Sequence, residues 1–215
     1  MKSTTQLCDT LILDLGGVLI DVDYSGSARA FKDLGHPDFE GLYTKARQSD
    51  LFDRFETGEL SPAGFRDAVR ELLGPGLSDA DIDASWNAML GSIPPERIAV
   101  VQQLKERYPV LLLSNTNAIH VPAFEAIVAR ENGITDFKRL FHGAYYSCEL
   151  GMRKPNADIF HHVIALHKAD PARTLFIDDS PQHVEGARKA GLQAEHLDLD
   201  KEDVVGMVRR LGLLE

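Results

Sequence analysis

Cysteine, tryptophan, positive charge and long apolar runs are all scarce in this chain of 215 residues. The two cysteines, Cys8 and Cys148, stand far apart and in no metal-binding spacing. They point to free thiols in a reducing compartment, with a single structural disulfide as the alternative. No apolar run is long enough to span a bilayer, and the opening "MKSTTQLCDT" lacks the apolar stretch of a secretion signal. A soluble, cytoplasmic protein is expected. Lys and Arg number 23 against 33 Asp and Glu, a net charge of −10 that argues against nucleic acid or an anionic membrane as partner. An anionic substrate would need a local positive site against that background. There is no internal repeat and no low-complexity segment, and no basic patch or heptad suggests a macromolecular partner. Oligomeric state cannot be read from the sequence.

What the chain does have is 44% apolar and 26% charged residues, the balance of a globular protein with a substantial core. Three short runs, "TLILD" (10–14), "VLLLS" (110–114) and "TLFIDD" (174–179), are apolar without alternation. Each therefore reads as a strand buried on both faces, as in a parallel sheet. Helical patterns lie between and after them at 94–108, 156–168 and 180–191. In the last, Ser180 is the expected N-cap, Pro181 the first helical residue and Gly191 the stop. Alternating strands and helices define an α/β fold, a doubly wound Rossmann-like parallel sheet. Residues 24–92 break the alternation with amphipathic helices such as 61–74 and 78–91, each opened by serine and closed by glycine. The expected organisation is a core of residues 1–22 and 93–215 with an inserted helical cap of residues 23–92.

The polar residues fall where such a sheet binds ligands, beyond the carboxyl ends of its strands. Asp14 ends the first run, Ser114, Asn115 and Thr116 follow the second, and Asp178 and Asp179 end the third. Converging carboxylates repel one another and favour a bound cation, and oxygen-only ligands suit Mg²⁺. The expected set is Asp14, Asp179 and a backbone carbonyl of the strand-end turn, with Asp178 close by or acting through water. Lys154, placed before Pro155 at an expected helix start, offers the missing positive charge. Gly16 and Gly17 permit close approach of an anion to backbone N–H groups, and Ser114 and Asn115 add further donors.

These segments, "LDLGGVL", "LLSNTN", "GMRKP" and "FIDDS", taken in order, resemble the four signatures of the haloacid dehalogenase-like hydrolase superfamily, mostly Mg²⁺-dependent phosphatases. The resemblance spans nearly the whole chain, and the helical insert looks like that superfamily's small cap. More narrowly, "DLGGVLIDVD", "LSNTN" and "CELGMRKP" look like a bacterial subgroup that includes an α-glucose-1-phosphate phosphatase. The resemblance implies Asp14 as the nucleophile that forms an aspartyl-phosphate. It implies Mg²⁺ held by Asp14, the Gly16 carbonyl and Asp179, and phosphoryl oxygens held by Ser114 and Lys154, on a small phosphorylated metabolite such as a hexose 1-phosphate.

One position departs from the pattern. Phosphatases of this kind carry a general acid–base aspartate two residues after the nucleophile, and here that residue is Gly16. Asp21, Asp23 or a cap residue are the candidates to replace it. Arg54 and Glu56 in the cap, together with Asp21, Asp23 and Asn117, are candidates for substrate specificity. Two other readings stand beside the phosphatase: a metal-independent 2-haloacid dehalogenase, and a weakly active module that binds phosphorylated ligands. The adjacent acids of "FIDDS" favour metal-dependent phosphoryl transfer over dehalogenation.

Overall fold

The computed structural model describes residues 7–36 and 50–214. Its centre is a five-stranded, all-parallel sheet of β1 (Thr10–Leu13), β2 (Val110–Ser114), β3 (Gly143–Tyr146), β4 (Thr174–Asp178) and β5 (Gln193–His196). The strand order is β3-β2-β1-β4-β5. Three inner strands came from apolar runs, and every residue of β1, β2 and β4 is buried. Successive side chains alternate between two cores. Leu11, Leu13, Leu112, Leu175 and Ile177 enter one cluster, while Ile12, Leu111, Leu113 and Phe176 enter the other. Helices cover both faces, which is why these strands carry no polar face.

The edge strands β3 ("GAYY") and β5 ("QAEH") have no apolar run and were not foreseen. Each is only partly covered, so small and polar residues serve there as well as aliphatic ones.

Helices follow in the order α1 (Gly26–Asp33), α2 (Leu51–Glu56), α3 (Pro62–Leu73), α4 (Asp79–Asn87), α5 (Pro95–Lys105), α6 (His120–Asn132), α7 (Ser147–Leu150), α8 (Ala157–His167), α9 (Pro181–Lys189) and α10 (Val204–Arg210). Ser61 caps α3 by accepting the Gly64 N–H, and Ser78 and Asp81 close a capping box on α4. Ser180 occupies the N-cap position of α9, but its side chain makes no cap hydrogen bond. Pro155 does not start a helix. It follows Lys154 in a turn through a cis peptide bond, and α8 begins two residues later.

Helices α1 to α4 share an apolar cluster of their own, built on Phe31, Phe55, Phe65, Ile82 and Trp86. The chain enters and leaves this segment through paired stretches: Asp21 N–H donates to Ser92, Asp23 N–H to Met89 and Gly91 N–H to Asp21. Among the described residues, no helix is long and apolar enough to cross a membrane. Both cysteines are free thiols.

Helix α9 lies hard against the Lys154–Pro155 turn, because a Cβ at Gly186 would sit 2.3 Å from the Pro155 carbonyl oxygen. Helix propensity alone favours alanine at this position by roughly 1 kcal/mol. The backbone collision outweighs that gain, so Gly186→Ala is expected to destabilise the protein by about 1–3 kcal/mol. A thermal melt reads this as a Tm lowered by roughly 2–4 °C per kcal/mol. A raised Tm would show that the contact is slack.

Candidate active site

In an open α/β sheet the ligand crevice lies where the strand order reverses, and here that point is the carboxyl end of β1 and β4. The register pairs Leu13 with Ile177, so the next residues of both strands, Asp14 and Asp178, emerge side by side. The Asp14 N–H donates to Ile177 at 2.9 Å and continues the ladder to Asp14 itself. Oxygens of Asp14, Asp178 and Asp179 come within 4.8 Å of one another.

Lys154 is fully buried among them. Its Nζ donates to Asp14 Oδ1 at 2.6 Å, to Asp178 Oδ2 at 2.7 Å and to the Leu113 carbonyl at 3.0 Å. All three ammonium protons are therefore taken by the protein. Lys154 is the counter-charge of Asp14 and Asp178. Its backbone is clamped by Asn115, whose Nδ2 donates to the Lys154 carbonyl and whose Oδ1 accepts the Lys154 N–H, both at 2.9 Å. One Nδ2 proton and the Oδ1 of the Asn115 amide thus hold the lysine.

Gly17 has a different role from the one expected. Its N–H donates to Ile20 at 2.9 Å and so is not offered to an anion. The residue must be glycine because its φ is +71° and a Cβ would stand 2.3 Å from Asp179 Oδ2. Gly16 does line the cavity, as do Asp14, Ser114, Asn115 and Asp179.

Burial and the neighbouring Asp178 push the Asp14 carboxyl well above the ordinary carboxylate range. The same two causes raise Asp179. Asp178 moves down despite its burial, because Lys154 and His183 face it and the Ser180 N–H donates to its Oδ1 at 2.7 Å. Burial opposes the Lys154 ammonium, but the two aspartates more than offset it and raise its pKa. Three carboxyls share one resident cation, and two of them are held above their usual range by repulsion and burial. An oxygen-only cluster with uncompensated negative charge is what a hard divalent cation relieves, so these residues fit Mg²⁺.

The cavity around this cluster has a volume of about 320 Å³. The inserted helices and their linkers contribute Val22, Tyr24, Phe52, Phe55, Glu56, Trp86, Met89 and Leu90 to its wall. Asn117 and Glu56, two of the specificity candidates, line it. Asn117 Oδ1 accepts the N–H groups of Ile119 and His120 at 3.1 and 3.0 Å, which fixes the entry to α6. The other three candidates do not line it. Asp21 pairs with Arg97 at 2.8 Å, exposed Asp23 pairs with Arg29 and caps Ser25, and exposed Arg54 stands 3.8 Å from Glu59. Short, exposed acids near a helix start are captured by local arginines and N–H groups, and that removes Asp21 and Asp23 as proton donors to the cavity.

Three cavity residues escaped the sequence reading. Arg153 lies beside the recognised lysine and pairs with Asp53 and, at 2.8 Å, with Glu56 of α2. His183, in the first turn of α9 five residues after Asp178, places Nδ1 3.0 Å from Asp178 Oδ2. That spacing from the acid pair was the available signal. His120 stacks on Trp86 with ring centroids 5.3 Å apart and meets Asn87 Oδ1 at 2.8 Å.

A protein-family model for the haloacid dehalogenase-like hydrolases matches residues 8–191, and the chain belongs to that family of enzymes. Among curated relatives, the D-ribitol-5-phosphate phosphatase of Bacteroides thetaiotaomicron is 28% identical over 188 residues, which cover 85% of this chain and 88% of that one. The sesquiterpene phosphatase astK of Aspergillus oryzae is 29% identical, over 89% of this chain and 92% of its own. The crystal structure of the HAD family enzyme BT-2542 from Bacteroides thetaiotaomicron, in complex with magnesium and inorganic phosphate, superposes with a TM-score of 0.81 at 35% identity. That match covers 91% of this chain and 96% of the other.

Burial alone pulls the His120 imidazole down from 6.5 to about 4. Between those values the unfolded chain binds the proton and the folded chain does not, so stability is lost as pH falls through 6.5 toward 4. Between pH 7 and pH 5 the wild type should lose about 2 kcal/mol more than His120→Gln in urea unfolding. Equal losses in both would show that His120 is not held neutral by burial.

Proposed function

We propose that the chain is a Mg²⁺-dependent phosphomonoester hydrolase acting through an aspartyl-phosphate on Asp14, with a small sugar phosphate such as a hexose 1-phosphate as substrate. The observation that carries the reading is Asp14 itself. It is a nearly buried carboxylate at a strand end, held by Lys154 and facing a cavity together with Asp179.

In this reading residues 23–92 form a cap over a core of residues 1–22 and 93–215, and the paired stretches around Asp21 and Gly91 are its linkers. Asp14, Asp179 and the Gly16 carbonyl would hold Mg²⁺, with Asp178 beside them. The ion supplies charge neutralisation at the transferring phosphoryl group when bound. Lys154 orients the Asp14 carboxylate through one oxygen, which leaves the other to attack phosphorus. Ser114 offers its hydroxyl to a phosphoryl oxygen, since its contact with the Asn115 carbonyl is a slack 3.4 Å. Donors fixed before the reaction cost no reorganisation during it.

The polar part of the wall supports this substrate class. Glu56, Arg153 and Asn117 bring charge and amide into a cavity at the small end of ligand sites. A hydrocarbon chain would strip water from those groups without replacing its hydrogen bonds, whereas a sugar or sugar alcohol replaces them. The relatives include a polyol-phosphate phosphatase and a sesquiterpene phosphatase, so the two classes are the natural contrast.

Phosphate release from a panel of hexose 1-phosphate, pentitol 5-phosphate and prenyl phosphate tests this reading. Release from the sugar and polyol phosphates is expected, lost with EDTA and restored by Mg²⁺. Asp14→Asn should lower it by at least about 10³-fold. Halide release from a 2-haloacid that survives EDTA would replace the reading with dehalogenation. Tight binding of sugar phosphate without turnover would reduce the protein to a binding module.

A further inference from the structure

The residue two positions after Asp14 is glycine, so the loop that carries the nucleophile has nothing with which to protonate a leaving group. Of the acids nearby in sequence, Asp21 and Asp23 are engaged by Arg97 and Arg29 away from the cavity. Among the described residues that line the cavity, the carboxylates are Asp14, Asp179 and Glu56. The first two belong to the buried acid cluster. Glu56 stands apart from it, on the helical segment.

Helix α2 holds Glu56 in place from several directions. Leu51 and Phe55 are buried, and Phe55 stacks on Phe65 with centroids 4.2 Å apart and planes 9° from parallel. Phe52 stacks in turn on Trp86. Two residues beyond Glu56, Gly58 has φ +72° and lies so close to the core that a Cβ would be 2.4 Å from the Cys148 carbonyl oxygen. From the core side, Arg153 NH2 reaches Glu56 Oε2 at 2.8 Å. Burial raises the carboxyl above its ordinary range, against the opposing pull of Arg153. The two cavity histidines are committed elsewhere: His120 to Asn87, and His183 to Asp178.

We propose that Glu56 is the general acid and base of the reaction, supplied by the helical segment in place of the residue absent at position 16. The proposal rests on the phosphatase reading. In the first step an Asp14 oxygen bonds to phosphorus and the bond from phosphorus to the leaving oxygen breaks. The leaving oxygen takes the electron pair and the Glu56 proton, giving the free alcohol and the Glu56 carboxylate. In the second step that carboxylate takes a proton from water. The water oxygen bonds to phosphorus as the bond to Asp14 breaks, so phosphate leaves with Asp14 ionised and Glu56 protonated again. General acid–base assistance of this kind accounts for roughly 10²–10⁴-fold in rate.

Rapid-quench and stopped-flow kinetics on Glu56→Gln test the assignment with two probes of different leaving group. With p-nitrophenyl phosphate, whose leaving group needs no proton, the variant should release one nitrophenolate per active site at the wild-type rate. A steady state at least about 10²-fold slower should follow, because the water step has lost its base. With a hexose 6-phosphate, an ordinary alkyl ester, the burst should vanish and kcat should fall by a similar factor. Glu56→Asp should recover part of the loss. The proposal is overturned if Glu56→Gln changes KM alone, slows both probes in the first step alike, or leaves hexose 6-phosphate turnover intact. A burst produced by His183→Asn and not by Glu56→Gln would overturn it too, in favour of His183. If the wild type turns over neither probe nor any phosphate ester of the panel above, the phosphatase reading itself has failed, an outcome distinct from each of these.

Discussion

The ammonium of Lys154 has three protons and meets three acceptors, each from a different strand end. Asp14 closes β1, the Leu113 carbonyl belongs to β2, and Asp178 closes β4. A lysine with no solvent exposure is stable only because two carboxylates face it, and those carboxylates are tolerated only because it is there. Removing one member of a buried ion pair usually costs about 3–5 kcal/mol, since the others keep an uncompensated charge. The surrounding contacts serve this group: Asn115 clamps the Lys154 backbone from both sides, and Gly186 lets α9 press against the following turn. His183 and the Ser180 N–H then secure Asp178 from the far side. The acceptors are thus built into the sheet's own end, and the turn that carries Lys154 is clamped onto it.

This explains which parts of the molecule could be read in advance. The inner strands were legible because burial on both faces forces a continuous apolar run, and the break in that run marks the strand end and its polar residue. Asp14, Ser114 and Asp178 were found in this way. The edge strands were illegible for the converse reason, since "GAYY" and "QAEH" are half covered and answer to backbone pairing alone. Residue roles were harder than residue positions. Gly17 is a flexible residue beside the cavity, and sequence cannot tell a backbone donor aimed at a ligand from one used within the protein, as its N–H is by Ile20. Asp21 and Asp23 were misjudged because the capture of an exposed carboxylate depends on Arg97 and Arg29, one of them 76 residues away. Arg153 was overlooked because it is the neighbour of a more conspicuous cation.

The helical segment contributes more than cover. Arg153 belongs to the turn that carries Lys154, yet its guanidinium is held by Asp53 and Glu56 of α2. The wall of the cavity and the counter-charge of Asp14 are therefore adjacent links of one chain of contacts. Against a net charge of −10, the field at the cavity depends on these few cations, since the surface as a whole repels an anion.

The chain has a single tryptophan, and the fold places it in that wall, with Phe52 stacked at 5.3 Å on one contact and His120 at 5.3 Å on another. All of the protein's indole fluorescence therefore arises from one side of the cavity, beside an imidazole whose charge would quench it. Emission from the unlabelled protein reports whether the cavity is filled and whether the inserted helices keep their place against the sheet, with no second indole to dilute the signal.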